Sequence, residues 1–274
     1  MQRISYDKNK SFIWRRTLDD SPRNPPSAMH YDDYMVITYL LQGSGNIFVE
    51  EKSFDINTGD IVTVNPNEFH RTYFNGNPNH ERISIYLLPS FAEQVGVDQE
   101  TLFSIFHDRK AGSGNVIPSN VVKELGLNEI LEKMQAPSDY DTEILLRCEI
   151  VKLLLLLKKA VTHVNENEAA KKLSKTAKNT LEYINAHLCE NISTESIAEA
   201  LFIDKSYLCR EFKRNTGATI NQYISRKRVI LAIQLIESGV SCTDACYQSG
   251  FGNYSSFYKY YRKYTGKDPR SRKI

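Results

Sequence analysis

The sequence predicts a two-domain α+β chain: a β-barrel followed by a helical segment, then an all-α domain of two helix-turn-helix units joined by one helix. Three observations carry this. Short β-branched and aromatic runs separated by turn residues fill positions 34–90, apolar residues at helical spacing fill 121–163, and a pattern at 206–217 returns 49 residues later. At 274 residues the chain has room for two cores.

In the front half, Met35–Leu41, Asn46–Val49, Phe54–Ile56, Ile61–Val64 and Arg82–Leu87 read as strands, with Gly43-Ser-Gly, Asn57-Thr-Gly-Asp, Asn65-Pro-Asn and Asn75-Gly-Asn-Pro as turns. Strands so short at such regular spacing argue for a sandwich or small barrel. Val121, Val122, Leu125, Leu127, Ile130, Leu131 and Met134 then make one helical stripe, broken at Pro137-Ser138. A second helix, from about Thr142 to His163, carries Ile144, Leu145, Ile150, Val151, Leu153 to Leu157 and Val161 around much of its cylinder. A helix apolar on more than one face needs cover on more than one side. A barrel end covers one, so the excess at Ile150 to Leu157 points to a homodimer interface, with burial inside one domain as the alternative. The polar stretch 165–175 reads as a linker.

The repeat is the strongest signal. Ser206-Tyr-Leu-Cys-Arg-Glu-Phe-Lys-Arg-Asn-Thr-Gly217 aligns with Ser255-Ser-Phe-Tyr-Lys-Tyr-Tyr-Arg-Lys-Tyr-Thr-Gly266. Leu208 with Phe212, and Phe257 with Tyr261, are i, i+4 anchors of one helix face. Arg210, Lys213 and Arg214, and their counterparts Lys259, Arg262 and Lys263, lie largely off it. Gly217 and Gly266 suit a left-handed helix end. A shorter helix precedes each copy, capped at Ser193 and at Ser241, the latter with Asp244 three residues on. A short helix, a turn and a second helix with a basic face make a helix-turn-helix. Between the units a helix from Thr219 to Glu237, with Gln222 three after its cap, spans roughly 27 Å. That suits two recognition helices about one DNA turn, ~34 Å, apart.

Charge agrees. The net charge is +2, but residues 174–274 hold 16 Lys+Arg against 9 Asp+Glu, while the remainder is acidic. The tail alone is expected to meet a polyanion. No apolar run approaches the ~18 residues of a bilayer span, and the N-terminus lacks a signal-peptide core, so a cytoplasmic location without membrane contact is expected. The five cysteines, Cys148, Cys189, Cys209, Cys242 and Cys246, show no metal or C-x-x-C spacing, and helical periodicity places three of them as buried thiols.

Residues 178–274 resemble the DNA-binding domain of AraC/XylS-type bacterial regulators. The likeness rests on Ile197-Ala198, the run 207–217, Tyr223 with Arg226 and Arg228, Gly250-Phe251, the run 257–266 and Pro269. The chain departs from the family at Cys242, Ala245 and Cys246, where Ile, Ile and Ala are usual, and at Tyr261, where Phe is. Gly59-Asp60-Ile-Val-Thr-Val-Asn-Pro66-Asn-Glu-Phe-His70 resembles the second motif of the cupin-like sensor domain of the same regulators. The first motif is poor: His30 has no second His two residues on, and Val36 stands where a glutamate is common. No metal and no cofactor are therefore expected.

The resemblance implies a sensing domain over 1–120, a helical dimerisation segment over 121–164, a linker over 165–175 and a DNA-binding domain over 176–274. It implies base reading by Ser206, Cys209 and Arg210, and by Asn253, Tyr254, Ser255, Tyr258 and Lys259. Lys213, Arg214, Arg226, Arg228, Arg262 and Lys263 are phosphate candidates, each weighed against an ordinary solvated charge. Trp14, His30, Tyr39, His70, Tyr73 and Tyr86 are candidates for an effector pocket, for a sugar or similar small polar molecule, and read equally as core. The expected partners are double-stranded DNA, a small-molecule effector, a second copy of the chain and, for an activator, RNA polymerase. The competing reading is a cupin-fold enzyme with a helical tail, which lacks the metal ligands; no P-loop, G-x-S-x-G, H-E-x-x-H or Rossmann fingerprint supports another enzyme. A DNA architectural protein leaves the front half unexplained.

Overall fold

A computed structural model describes residues 11–19, 34–50, 52–66, 68–74, 80–109, 112–163, 170–171, 173–266 and 268–271. The chain divides into two units, Met1–Lys172 and Leu173–Ile274. The first contains β1 (Phe12–Asp19), β2 (Met35–Gln42), β3 (Ser44–Val49), β4 (Lys52–Asn57), β5 (Ile61–Val64), β6 (His70–Tyr73) and β7 (His80–Leu87). There follow α1 (Ser90–Val95), α2 (Gln99–Leu102), α3 (Ser104–His107), β8 (Val116–Ile117), α4 (Ser119–Glu124), α5 (Leu127–Lys133), α6 (Tyr140–His163) and β9 (Ala170–Lys171). The strands form two sheets, β1-β7-β2-β5-β8 and β6-β3-β4-β9.

The period of two divides the five-stranded sheet into two working faces. Met35, Ile37 and Tyr39 of β2 lie with Ile83, Ile85 and Leu87 of β7, and pack on Phe91, Leu102, Phe106, Leu131, Leu153 and Leu157 from the helices. Val36, Leu40, Val62 and Val64 point the other way, to Ile47, Val49, Phe54 and Ile56 of the second sheet. One sheet thus serves two cores.

The helices depart from expectation in two places. The stripe at 121–134 is two helices, because Gly126 (φ 66°) takes the left-handed conformation between α4 and α5. Leu154 and Leu157 are 1% and 0% exposed within their own unit, so they form no interface. The second cover comes from α2 to α5, which pack against α6. Leu146, Ile150, Leu153, Leu154 and Leu157 are all buried, worth about 1.5–3 kcal/mol each before the entropy of ordering them. The apolar residues that α6 leaves exposed are Tyr140, Ile144, Leu145 and Leu155.

The motif around Asp60 and Glu68 is a structural knot. Glu68 Oε2 accepts from the Asn65 amide at 2.7 Å, Asn115 Nδ2 at 3.0 Å and Arg109 Nη2 at 3.2 Å, while Oε1 accepts from the Gly112 amide at 3.0 Å. Both charged side chains are nearly sealed from water, at 6% exposure for Arg109 and 3% for Glu68. Asp60 accepts from the Asn57 and Ser119 amides at 2.7 and 2.8 Å. Burial pushes its carboxyl pKa up, and those two donors oppose the shift.

Within the expected linker, residues 165–169 and 172 lie outside the described residues. Ala170–Lys171 pairs with β4 as β9, and Ser174 already caps the next helix. The second unit contains α7 (Lys175–Ala186), α8 (Thr194–Ala200), α9 (Lys205–Thr216), α10 (Ile220–Glu237), α11 (Cys242–Gln248), α12 (Tyr254–Thr265) and a closing 3-10 turn, Pro269–Ser271. Of the cysteines, Cys246 alone is buried; Cys148, Cys189 and Cys209 are exposed and Cys242 is half-buried. Helical spacing told which positions share a face, not how much of that face is covered.

Candidate nucleic-acid interface

Each helix-turn-helix unit is held by caps at its helix starts and by anchors on its inner face. In the first, Ser193 and Ser196 form a reciprocal cap on α8, and the Asp204 carboxylate accepts the Tyr207 amide at 2.8 Å to start α9. Leu208 and Phe212 are fully buried, and α9 ends at left-handed Gly217 (φ 77°). Phe212 meets Tyr223 of α10 edge-on at 5.6 Å. Asn215 of α9 and Ser174 at the start of α7 exchange hydrogen bonds. With its inner face fixed, α9 exposes Ser206, Cys209, Arg210, Lys213 and Arg214. Tyr207, 44% exposed, stands three residues before Arg210 on the same helix face. The sequence pattern gave no reason to single it out, since an exposed aromatic and an anchor look alike without the fold.

The second unit repeats the plan with different side chains. Ser241 caps α11 and Asn253 caps α12, accepting the Ser256 amide at 2.8 Å. Phe257 and Tyr261 are fully buried, and α12 ends at Gly266 (φ 72°). Ser255 and Lys259 are exposed. Three base-reading candidates here are partly committed. The Asn253 carbonyl is used as the cap, Tyr254 packs edge-on against Phe257 at 5.4 Å, and the Tyr258 hydroxyl donates to Asp268 at 3.1 Å.

The six phosphate candidates separate by what already holds them. Lys213 is exposed and makes no ion pair among the described residues. Arg214 pairs with Glu211 at 2.7 Å, and Arg262 and Lys263 lie over the rings of Tyr258 and Tyr264, at 5.9 and 5.7 Å, with their charges near solvent. Arg226 is half-buried over Tyr264, 4.9 Å from the ring centroid. Arg228 donates from Nε to the Leu188 carbonyl at 2.9 Å and from Nη2 to the Glu190 carbonyl at 2.6 Å. These acceptors lie just beyond α7, where the helix dipole favours a cation. Burial lowers the guanidinium pKa. Two of the five N–H donors of Arg228 are thus held by backbone carbonyls, so the side chain is partly committed as a clamp within the protein.

The sensor candidates do not converge. Trp14 and Tyr39 belong to the helix-covered face of the five-stranded sheet. Tyr39 donates to Glu132 at 2.9 Å, and burial foremost pushes its phenol pKa up. Tyr86 packs on the face between the sheets. His70 pairs with inward-facing Val49, so it shares that face, whereas Tyr73 pairs with Asn46 on the outer side. His30 lies outside the described residues. The parity of each strand decides the matter, and no composition argument could. Two residues that the sequence reading passed over, Thr38 and Ser84, stand opposite each other on the inter-sheet face with their hydroxyls 3.2 Å apart. Among the described residues no group of His, Cys, Asp or Glu is arranged to hold a metal, and no helix is long and apolar enough to cross a membrane.

Comparison with known proteins matches both halves. A family model described as an AraC-like ligand binding domain matches residues 19–133, and one described as a helix-turn-helix domain matches 197–272. The HTH-type transcriptional regulator YbfI of Bacillus subtilis is 25% identical over 231 residues, 82% of this chain and 79% of that protein. The HTH-type transcriptional activator RhaS of Citrobacter koseri is 26% identical over 255 residues, 91% of this chain and 89% of that protein. Among solved structures, fatty-acid-bound ToxT of Vibrio cholerae is similar over 97% of this chain and 96% of its own, at 13% identity and a TM-score of 0.40. With the ligand-binding model on its first unit, the helix-turn-helix model on its second, and full-length relatives that are transcriptional regulators, the chain belongs to the AraC family of DNA-binding transcription regulators.

Proposed function

We propose that the exposed faces of α9 and α12 read one double-stranded DNA site, Arg210 with Ser206 and Cys209 in one groove segment and Lys259 with Ser255 in the next. The observation that carries this is the clean division of α9: Leu208 and Phe212 are fully buried while Arg210 and Lys213 are exposed. Arg210 offers the planar fork that suits a guanine edge, and Lys213 offers a point charge to phosphate. Lys259 has no fork, so the first unit discriminates bases more sharply than the second. Ligand sensing falls to the first unit, where the inter-sheet face gathers Thr38, Ser84, His70 and Tyr86, groups that suit a small polar molecule such as a sugar. The chain works as a homodimer through the exposed side of α6. Binding-site selection tests the DNA reading. Arg210→Ala costs about 1–3 kcal/mol and relaxes preference at one or two positions, whereas Lys213→Ala weakens all sequences alike and lowers the salt slope by about one. Reversed behaviour of the two variants, or no selected sequence at all, refutes the assignment.

A further inference from the structure

The second recognition helix carries a hydroxyl whose hydrogen is already placed. Tyr258 of α12 donates from Oη to Asp268 Oδ2 at 3.1 Å, and Asp268 Oδ1 accepts the Arg270 amide at 2.9 Å. The Arg262 guanidinium lies over the Tyr258 ring, 5.9 Å from its centroid. Asp268 stands just past Gly266, which ends α12, so a residue outside the helix fixes a side chain on it. Ser255, Tyr258 and Arg262 form one row along the helix, beside exposed Lys259. The first unit has no counterpart of this pair: at the 49-residue offset of the repeat, Cys209 stands for Tyr258 and Thr219 for Asp268.

A phenol hydroxyl has one hydrogen to give and lone pairs to receive, whereas a carboxylate only accepts. With its hydrogen given to Asp268, Tyr258 has only lone pairs to offer a base. In the major groove the hydrogen-bond donors are the amino groups of adenine and cytosine, while guanine and thymine present acceptors. Every base pair therefore holds one amino group there, and an oxygen that can only accept selects which strand bears it. Adenine or cytosine on the contacted strand satisfies it. Guanine or thymine on that strand sets lone pairs against lone pairs and leaves a hydrogen bond unmade.

We propose that Tyr258 reads a base with fixed polarity, accepting from the amino group of adenine or cytosine, and that Asp268 is the positioning residue that sets this polarity. The proposal rests on the DNA-reading assignment above, since α12 must lie in a major groove for Tyr258 to reach a base edge. Binding-site selection is run with full-length wild type, Tyr258→Phe and Asp268→Asn, and affinities are then measured on the wild-type site. Wild type should show one position at which adenine and cytosine on one strand are favoured over guanine and thymine, by about three- to tenfold for one hydrogen bond. Tyr258→Phe should flatten that position alone. In Asp268→Asn the side-chain carbonyl keeps the Arg270 amide and the NH2 turns to Tyr258, which releases the hydroxyl hydrogen. The preference at that position should then invert to guanine and thymine, while loss of a negative charge tightens all sequences alike. Replacing the base there by its analogue without the amino group should weaken wild type about three- to tenfold and leave Tyr258→Phe within about twofold. A Tyr258→Phe selection identical to wild type, or a loss spread evenly over all sequences, overturns the assignment of Tyr258 and leaves the DNA reading standing. An Asp268→Asn protein that keeps the wild-type preference overturns the role of Asp268. Should Asp268→Asn not fold, the amino-free base decides the polarity by itself. A wild type that selects no sequence removes the DNA reading, and this proposal with it.

Discussion

Replacing Arg228 by alanine separates a clamp from a phosphate contact. The side chain makes two charge-assisted hydrogen bonds to the Leu188 and Glu190 carbonyls, at 2.9 and 2.6 Å. A bond of this kind contributes about 1.5–3 kcal/mol when sheltered. The Leu188 bond is partly buried and takes that value; the Glu190 bond is exposed and is discounted to at most about 1 kcal/mol. The expected loss is therefore about 1.5–4 kcal/mol, felt where the α7–α8 connection meets Gly250 and the second unit. Hydrogen exchange of the α11 and α12 amides in the full-length protein reads this directly, as a roughly 10- to 900-fold loss of protection. A clamp is not a counterion: log Kd against log salt for DNA should keep its slope in Arg228→Ala, with a modest loss of affinity at every salt concentration. Lys213→Ala should do the reverse, losing about one unit of slope with unaltered exchange. Should Arg228→Ala leave protection within a factor of two and lower the slope by one, the clamp is wrong and the guanidinium belongs to the DNA.

Three further outcomes follow from packing. Ile144, Cys148, Val151 and Leu155 recur at the four-three-four spacing of a coiled-coil seam on the open side of α6; Ile144→Glu or Leu155→Glu should give folded monomers in sedimentation, while Leu154→Glu, buried at 1% exposure, should unfold the first unit, and a wild type already monomeric at micromolar concentration refutes the seam. Gly250→Ala adds a Cβ 2.6 Å from the Leu188 carbonyl oxygen at a positive φ and should cost about 2 kcal/mol or more in thermal unfolding, whereas Phe202→Gly, at the same place in the first unit and 97% exposed at φ 55°, should leave the midpoint unchanged or raise it; equal effects would mean the two turns are not counterparts. Glu68→Gln keeps shape but strips the charge facing buried Arg109 and should cost about 3–5 kcal/mol in urea, with Arg109→Met in the same chain recovering part of the loss; a neutral single variant would show that water reaches the pair.

What could be read from the sequence tracks how much each feature is a local matter. Recognition helices are local: anchors four apart, a cap before and a glycine after are present in a dozen residues, and α9 and α12 stand where that pattern places them. Five strands of the front half, β2 to β5 and β7, were legible for the same reason, whereas β1, β6, β8 and β9 were not read; nor was the side each residue faces, because parity depends on pairings such as Tyr86 with Val36. Helices of four to six residues, α1 to α3, are too short for a 3.6-residue period to accumulate. Missing them left α6 with an apparent excess of apolar surface, and the error at Leu154 and Leu157 follows directly. By contrast α7 shows Ala177, Leu181 and Ile184 at i, i+4 and i+7, all buried, a signal that was available. Partners of long cationic side chains are the least legible of all: Arg228 and Lys213 look alike until the carbonyls beyond α7 are in place.

The second unit also shows why shrunken core residues need not loosen a fold. Cys242 and Ala245 give up volume in α11 while Cys246 adds a sulfur, and Ala245 and Cys246 are both fully buried. The space goes to aromatics: Phe251 packs on Phe257 at 5.5 Å, and Phe257 on Tyr261 at 5.4 Å. Cys242 adds a weak thiol hydrogen bond to the Pro269 carbonyl at 3.4 Å. On the other side α10 buries Ile220, Tyr223 and Ile224 early and Val229, Ile230, Ala232, Ile233 and Ile236 later, more than one face and therefore cover for both units. Arg228 and the close approach at Gly250 then tie the second turn to the first unit's own connection. Two recognition helices held by a shared helix, a shared clamp and a glycine contact move as one body, since packed interiors do not deform continuously. The difference between what the two units recognise must then lie in their exposed side chains, Arg210 against Lys259 above all, and not in how they are aimed.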